Sequence, residues 1–250
     1  MKHRILILGG TAEARRLAEV LSLDPRFAVQ LSLAGRTLVP ARHAVPVRVG
    51  GFGGAEGLAR YLHDGGFAML VDATHPYAAQ ISANAAMASR SSGVPLVALR
   101  RGPWVRAARD RWQLVKSVDD AVAYLGDSPL RVFLTLGRQE LLPFEAAPQH
   151  RYLIRSVDPV EPPLEVPHAA YLTARGPFQE EEEAALLREH AIEVIVAKNS
   201  GGPASYGKIA AARLLGINVV LIDRPQLPDM ATVESVEAMV HYLAHELPPL

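Results

Sequence analysis

Short apolar runs, each about one strand long, recur along this chain and pass into helical stretches through glycine-rich or polar turns. This alternation constrains the fold more than any other feature. Strands joined through helices pair in parallel, and a parallel sheet needs cover on both faces. In the first half the runs at 4–8, 28–33, 46–50, 68–72 and 95–99 read as strands, and 12–22, 54–64 and 77–92 as helices. In the second half 131–135, 151–155, 169–173, 193–197 and 218–222 read as strands, with helices at 118–125, 179–190, 206–215 and 232–247. Between the two series lies "RRGPWVRAARDRWQLV", without a clear period, and "SVDPVEPPLEVPHA" reads as a proline-rich loop. No short repeat is evident, and the two halves look like a weak duplication. The pattern implies an α/β protein of two Rossmann-like units with mainly parallel sheets and a ligand cleft between them. The boundary falls near residue 100, giving units 1–100 and 101–250. Which unit receives the last helix is left open.

Charge narrows the partners. The 26 basic and 26 acidic residues cancel, so no global field draws the chain to nucleic acid or membrane, and any anion site must be local. Cysteine is absent, which removes disulfides, thiolate metal sites and cysteine nucleophiles together. The histidines are scattered and none pairs with a carboxylate at ligand spacing on one helix face, so no metal is expected. The start, "MKHRILILGG", is too short in its apolar run for a signal peptide, and no run approaches a spanning helix. A cytoplasmic protein is expected. Oligomeric state is left open, with a monomer as the working expectation.

"ILILGGTAEARRLAEVL" is a strand, then Gly9-Gly10-Thr11, then a strong helix beginning at Ala12. Backbone amides at such a helix start attract anions, and glycines let a phosphate come close. The spacing is not that of the usual dinucleotide fingerprint, and a tight turn capped by Thr11 is the plainer reading. The end of the second strand sharpens the choice. Sites for NAD place a carboxylate there, whereas "LSLAGRT" offers Ser32 and Arg36, a guanidinium able to grip a 2′-phosphate. NADP(H) is therefore expected over NAD(H), against the alternative of a solvated loop arginine. Gly50 and Gly51 give a further place for backbone to approach a cofactor. In "MLVDATHPYA" a helix start explains Thr74 as a cap and Pro76 as a first-turn residue. It does not explain His75, which at a strand's carboxyl end can contact a cofactor or donate a proton.

Three polar turns in the second half follow expected strands. They are "LTLGRQEL" with Arg138, "LTARGPF" with Arg175 and Gly176, and "VAKNSGG" with Lys198, Asn199, Ser200 and Gly201, followed by Lys208 on the next helix. Each alone is an ordinary turn, but together they suit a ligand with several negative groups. Glu180 to Glu183 fit a helix N-terminus, where the dipole favours acids, and receive no chemistry.

"ILGGTAEAR", "VDATHPYA", "LGRQEL", "ARGPF" and "KNSGG…KI.AARLLGI" run in order over nearly the whole chain, and in these motifs it resembles the precorrin-6A (cobalt-precorrin-6A) reductase family of cobalamin biosynthesis. The resemblance implies NADPH-dependent reduction of one double bond of a tetrapyrrole macrocycle, a CH–CH oxidoreductase yielding precorrin-6B or its cobalt counterpart. It implies a cofactor site at Gly9, Gly10, Thr11, Ala12, Ser32, Arg36, Gly50, Gly51, Thr74 and His75. Arg138, Arg175, Gly176, Lys198, Asn199, Ser200, Gly201 and Lys208 would meet the macrocycle's carboxylates, helped by Arg100, Arg101, Arg106 and Arg109. Trp104 or Tyr206 would offer an apolar face. His75 and Tyr77 are the candidates for proton delivery, with solvent as the alternative. The presence of cobalt, the proton donor and the face of hydride attack stay open. The competing readings are a reductase of another polyanion and a non-catalytic nucleotide- or tetrapyrrole-binding protein.

Overall fold

A computed structural model describes residues 2–35 and 43–249. The chain divides into two compact units, Met1–Gly102 with Pro225–Leu250, and Pro103–Arg224. The first half runs β1 (His3–Leu8), α1 (Ala12–Ser22), β2 (Phe27–Leu33), β3 (Val47–Val49), α2 (Gly54–Asp64), β4 (Met69–Asp72), α3 (Ala79–Ser92) and β5 (Leu96–Leu99). The second unit runs β6 (Arg111–Val115), α4 (Val118–Leu125), β7 (Arg131–Thr135), β8 (Arg151–Ser156), β9 (Ala169–Thr173), α5 (Glu180–Glu189), β10 (Val194–Lys198), α6 (Gly207–Leu215) and β11 (Asn218–Ile222). The chain closes with β12 (Ala231–Val233) and α7 (Val236–Glu246).

Each unit holds one parallel sheet, in the orders β12-β5-β4-β1-β2-β3 and β6-β11-β10-β7-β8-β9. Strand alternation feeds both faces. Ile5, Ile7 and Val71 pack with Leu17 and Leu21 of α1 and Met239 and Leu243 of α7. Leu6, Leu8 and Leu70 point the other way, to Leu58 and Leu62 of α2 and Ala85 and Ala88 of α3. Burying each such aliphatic side chain contributes about 1.5–3 kcal/mol, which explains why these runs are continuously apolar.

The sixth strands are exchanged. β6 follows β5 in the chain but pairs with β11, while β12 follows β11 but pairs with β5. Both sheets thereby reach the doubly wound order 3-2-1-4-5-6, with each unit's sixth strand drawn from the segment after the other unit's fifth. Against the expectation of no short repeat, one marks the exchange: "VKSVDDAVAYL" at 115–125 and "VESVEAMVHYL" at 233–243. Ser117 and Ser235 cap α4 and α7 in the same way, accepting from Asp120 N and Ala238 N at 3.0 and 3.1 Å.

Two expectations are thereby corrected. The connecting stretch is not patternless, since it contains β6, and residues 225–250 belong to the first unit rather than the second. Both errors share one cause. β6 and β12 are edge strands with little burial, so neither shows an apolar run. Among the described residues no helix is long and apolar enough to cross a membrane.

Candidate active site

In the first unit the candidate residues gather at the carboxyl ends of β1, β2, β3 and β4, where ligands of such sheets bind. The turn after β1 needs its glycines for different reasons. A Cβ on Gly9 would lie 2.6 Å from Leu31 Cδ1, so any larger residue here would force the Leu31 side chain to move. Gly10 has φ 117°, a conformation other residues resist, and nothing lies within 4 Å of where its Cβ would be. Thr11 caps α1 by accepting from Ala14 N at 3.0 Å and donates to Ala73 O at 2.8 Å, joining this turn to the end of β4. The amides of Ala12 and Glu13 remain as first-turn donors for an anion. Among the described residues, nothing lies within 4 Å of where a Cβ on Gly50 or Gly51 would be. Ser32 is buried at the end of β2, in register with Arg48, whose guanidinium donates to Gly50 O and Gly51 O and lies over the Phe52 ring. Arg36 lies outside the described residues.

The stretch around His75 is organised by Asp72, which the sequence reading passed over. This carboxylate is 1% exposed. It accepts from Thr74 Oγ1 and Ser82 Oγ at 2.6 Å each, from Thr74 N at 3.2 Å and from Arg100 at 3.2 Å. Thr74 therefore does not cap the following helix, and α3 begins only at Ala79, past Pro76. Residues 74–78 instead form a tethered turn that presents His75 and Tyr77, with ring centroids 5.5 Å apart. Tyr77 N donates to His75 Nδ1 at 3.4 Å. Arg101 pairs with Glu13 at 2.6 Å, offsetting a carboxylate in the first turn of α1 that would otherwise repel a phosphate. Arg100 and Arg101, expected to help bind substrate, are thus engaged within the first unit.

In the second unit the expected cations gather at the carboxyl ends of β7, β9 and β10. Each is held by a neighbour: Lys198 by Glu140, Arg175 by Asp158 at 3.7 Å, and Arg138 by Pro159 O at 3.2 Å. Asn199 is buried, and its amide accepts from Trp104 N at 2.7 Å and donates to Trp104 O at 3.3 Å, so it latches the turn rather than facing a ligand. Ser200 is also buried, with its hydroxyl 3.3 Å from that of Ser205, and Gly201 supplies a left-handed φ of 66°. Gly176 lets the 174–178 turn pack against the 199–205 turn, since its Cβ would stand 3.0 Å from Ala204 O. Arg106 donates to Asp110 O, and Arg109 adopts φ 70° on the exposed surface. Trp104 does not offer an open face. It is buried, with its indole N–H donating to Gly202 O at 2.9 Å, and the Tyr206 hydroxyl is bound by Arg213 at 2.6 Å.

Lys208 also departs from expectation. It is 5% exposed, its ammonium donates to Ser205 O at 2.8 Å, and it stands 5.2 Å from the Trp104 ring. Burial, then the charge of Arg155, lower its pKa to about 7, while Glu183 opposes the shift. Arg155 and Glu183 form a buried bidentate pair, with Arg155 stacked 3.7 Å from Phe178. These three charges form a floor beneath the turns that carry Arg175 and Lys198. Glu183, read as a plain helix-start acid, is a structural ion-pair partner. The missed residues Asp72 and Arg155 share one legible signal, a charge at the end of an apolar run that must find a partner, while Glu140, in a polar turn, carries no such signal.

A profile of the precorrin-6x reductase CbiJ/CobK family matches residues 4–244. A precorrin-6A reductase from Sinorhizobium sp is 57% identical over 248 residues, covering 99% of this chain and 95% of the relative. One from Rhodobacter capsulatus is 48% identical over 241 residues, 96% of each chain. The solved structure of a CobK precorrin-6A reductase superposes with a TM-score of 0.94 at 47% identity, covering 99% of this chain and 100% of the other. With both parallel-sheet units and all five sequence motifs accounted for over that length, the chain belongs to the precorrin-6x reductase CbiJ/CobK family.

Proposed function

We propose that this chain reduces one double bond of precorrin-6A to give precorrin-6B in cobalamin biosynthesis, with NADPH as the electron donor. The observation that carries this reading is the 57% identity to a precorrin-6A reductase over 99% of the chain. The first unit then acts as the cofactor domain. Its open turns at Gly10 and at Gly50-Gly51, with the α1 amides, fit a diphosphate. The absence of a carboxylate after β2, together with Arg36, favours a 2′-phosphate over a free ribose. When bound, the nicotinamide supplies a hydride to an electrophilic carbon of the macrocycle, and a proton joins a neighbouring position.

The chain's own part is binding and orientation, which can supply most of such a barrier reduction. Arg138, Arg175 and Lys198 engage substrate carboxylates by exchanging their present partners for them, while Glu140 and Asp158 keep the cations in place beforehand. Asp72 fixes the turn that presents His75, which is the proposed route for the proton, relaying it from solvent, with Tyr77 beside its ring. Lys208 supports the site from below rather than touching substrate.

Oxidation of NADPH on addition of precorrin-6A, with NADH at least roughly tenfold poorer in kcat/KM, is the expected result; tenfold corresponds to about 1.4 kcal/mol of differential binding. Arg36→Ala should erase that preference, and Lys198→Ala should raise the macrocycle KM with cofactor binding unchanged. A chain that binds both ligands without consuming NADPH would be a carrier instead.

A further inference from the structure

Opposite the candidate active site, at the strand starts of the second unit, lies a groove of about 430 Å³ lined by Arg131, Arg151, His168, Glu189 and His190, with Ala169 and Ala170 on the edge strand. Arg131 and Arg151 open β7 and β8 and are direct partners in the parallel register. Adjacent strands lie about 4.8 Å apart, and residues in register point to the same face. Two arginine side chains thus leave neighbouring positions on one face of the sheet, and like charges so placed repel unless something negative lies between them.

Among the described residues no carboxylate pairs with either side chain. Among the described residues, neither guanidinium has a hydrogen-bond or ion-pair partner, and neither do the rings of His168 and His190. Two carboxylates are near. Glu189 stands on the wall, and Glu193 accepts from the backbone amide of Arg131 at 2.9 Å rather than from its side chain. His190 ends α5, where the helix dipole alone favours a cation. The two arginines stand on strands, so that explanation does not reach them.

The first unit supplies an internal control. At the matching strand starts it has a groove of about 400 Å³ beside Arg4, Phe27 and Ala28. There the register sets His3 opposite Phe27 and Arg4 opposite Ala28, so no two arginines face each other. Among the described residues, the two arginines near it have internal partners: Arg4 donates to Gly65 O and lies 4.6 Å from the Phe67 ring, and Arg26 is bidentate on Asp24. A groove at this place comes with the topology, whereas among the described residues a register-paired, unpartnered set of cations in it is found in the second unit.

We propose that this groove binds a phosphate-bearing small molecule, one dianionic phosphate bridging Arg131 and Arg151 with His168 and His190 at the rim. The forked donors of two arginines suit a tetrahedral oxyanion carrying two charges. The site is separate from the one proposed for NADPH and the macrocycle and does not depend on that assignment.

The test is thermal unfolding of the full chain, with saturating NADP present so that the cofactor's phosphate positions are filled. Millimolar inorganic phosphate should raise Tm saturably by at least roughly 2 °C beyond sodium chloride of equal ionic strength. Arg131→Ala/Arg151→Ala should lose that rise and, without phosphate at low salt, should unfold no earlier than the wild type, since a repulsive pair has been removed. NADPH oxidation should be unchanged in the variant, which separates this site from the reductase reading. A full phosphate response in the double variant would overturn the proposal. So would a wild type that responds to phosphate no more than to chloride, or a response to citrate equal to that to phosphate.

Discussion

Asp72 shows how one buried charge can set the shape of a turn. Its carboxylate takes four donors from Thr74, Ser82 and Arg100, so Thr74 at the head of the turn and Ser82 in the first turn of α3 are held by a single group. Asp72→Asn keeps the shape but leaves Arg100 facing an amide, and removing one partner of a buried pair costs about 3 kcal/mol. Urea unfolding should show a loss of that order, and kcat should fall more than cofactor affinity as His75 loses its tether. A loss under about 1 kcal/mol with normal kcat would mean that the turn holds itself. Lys208 offers a test with a definite sign. Its pKa falls from 10.5 in the unfolded chain to about 7 when folded, chiefly through burial. Between these values the unfolded chain binds more protons, so the contribution is complete above the unfolded value and is lost as pH falls through about 7. The stability of the wild type relative to Lys208→Met should therefore climb from pH 7 to pH 10 in urea titrations. A difference independent of pH would show that the ammonium is solvated.

The exchanged elements carry their own signature. α4 and α7 start with the same Ser-Val pair, and each serine takes one first-turn amide. Ser117→Ala and Ser235→Ala should each cost about 1 kcal/mol, the usual value for losing such a cap. Calorimetry should show similar losses for the two, and a serine that can be removed without effect would make its half of the repeat coincidental. Here the limits of reading the chain become physical. α1, α2 and α4 were legible to their ends, because their apolar periods and turn residues act locally. The interior strands were legible because burial on both faces forces continuous Val, Ile and Leu. β6 and β12 were not, because an edge strand with one neighbour needs few apolar residues, and its place depends on a partner far away in sequence. The site divides in the same way. The glycine turns and the cation-bearing turns were visible as motifs. The burial of Asn199 and Lys208, and the pairing of Lys198 with Glu140, depend on tertiary neighbours that spacing does not reveal.

At the scale of the whole molecule the exchange makes the units unequal in one respect. Residues 103–224 form a continuous segment that contains all six strands of its sheet. It needs nothing from outside to complete its order or its core of Phe133, Leu153, Ile195 and Leu221. Residues 1–102 lack β12 and α7, and with them Val236, Met239 and Leu243 from the face covered by α1. Exposing such a face leaves apolar area that several kcal/mol of burial had covered, enough to undo the marginal stability of a domain this small. Expressed alone, 103–224 should unfold cooperatively in urea with dispersed amide resonances, whereas 1–102 should be molten or insoluble. Joining 1–102 through a short linker to 225–250 should restore its cooperative transition. Should 1–102 fold as well alone as with the added segment, β12 and α7 would be an attachment to a finished sheet, and the repeat would not mark an exchange needed for folding.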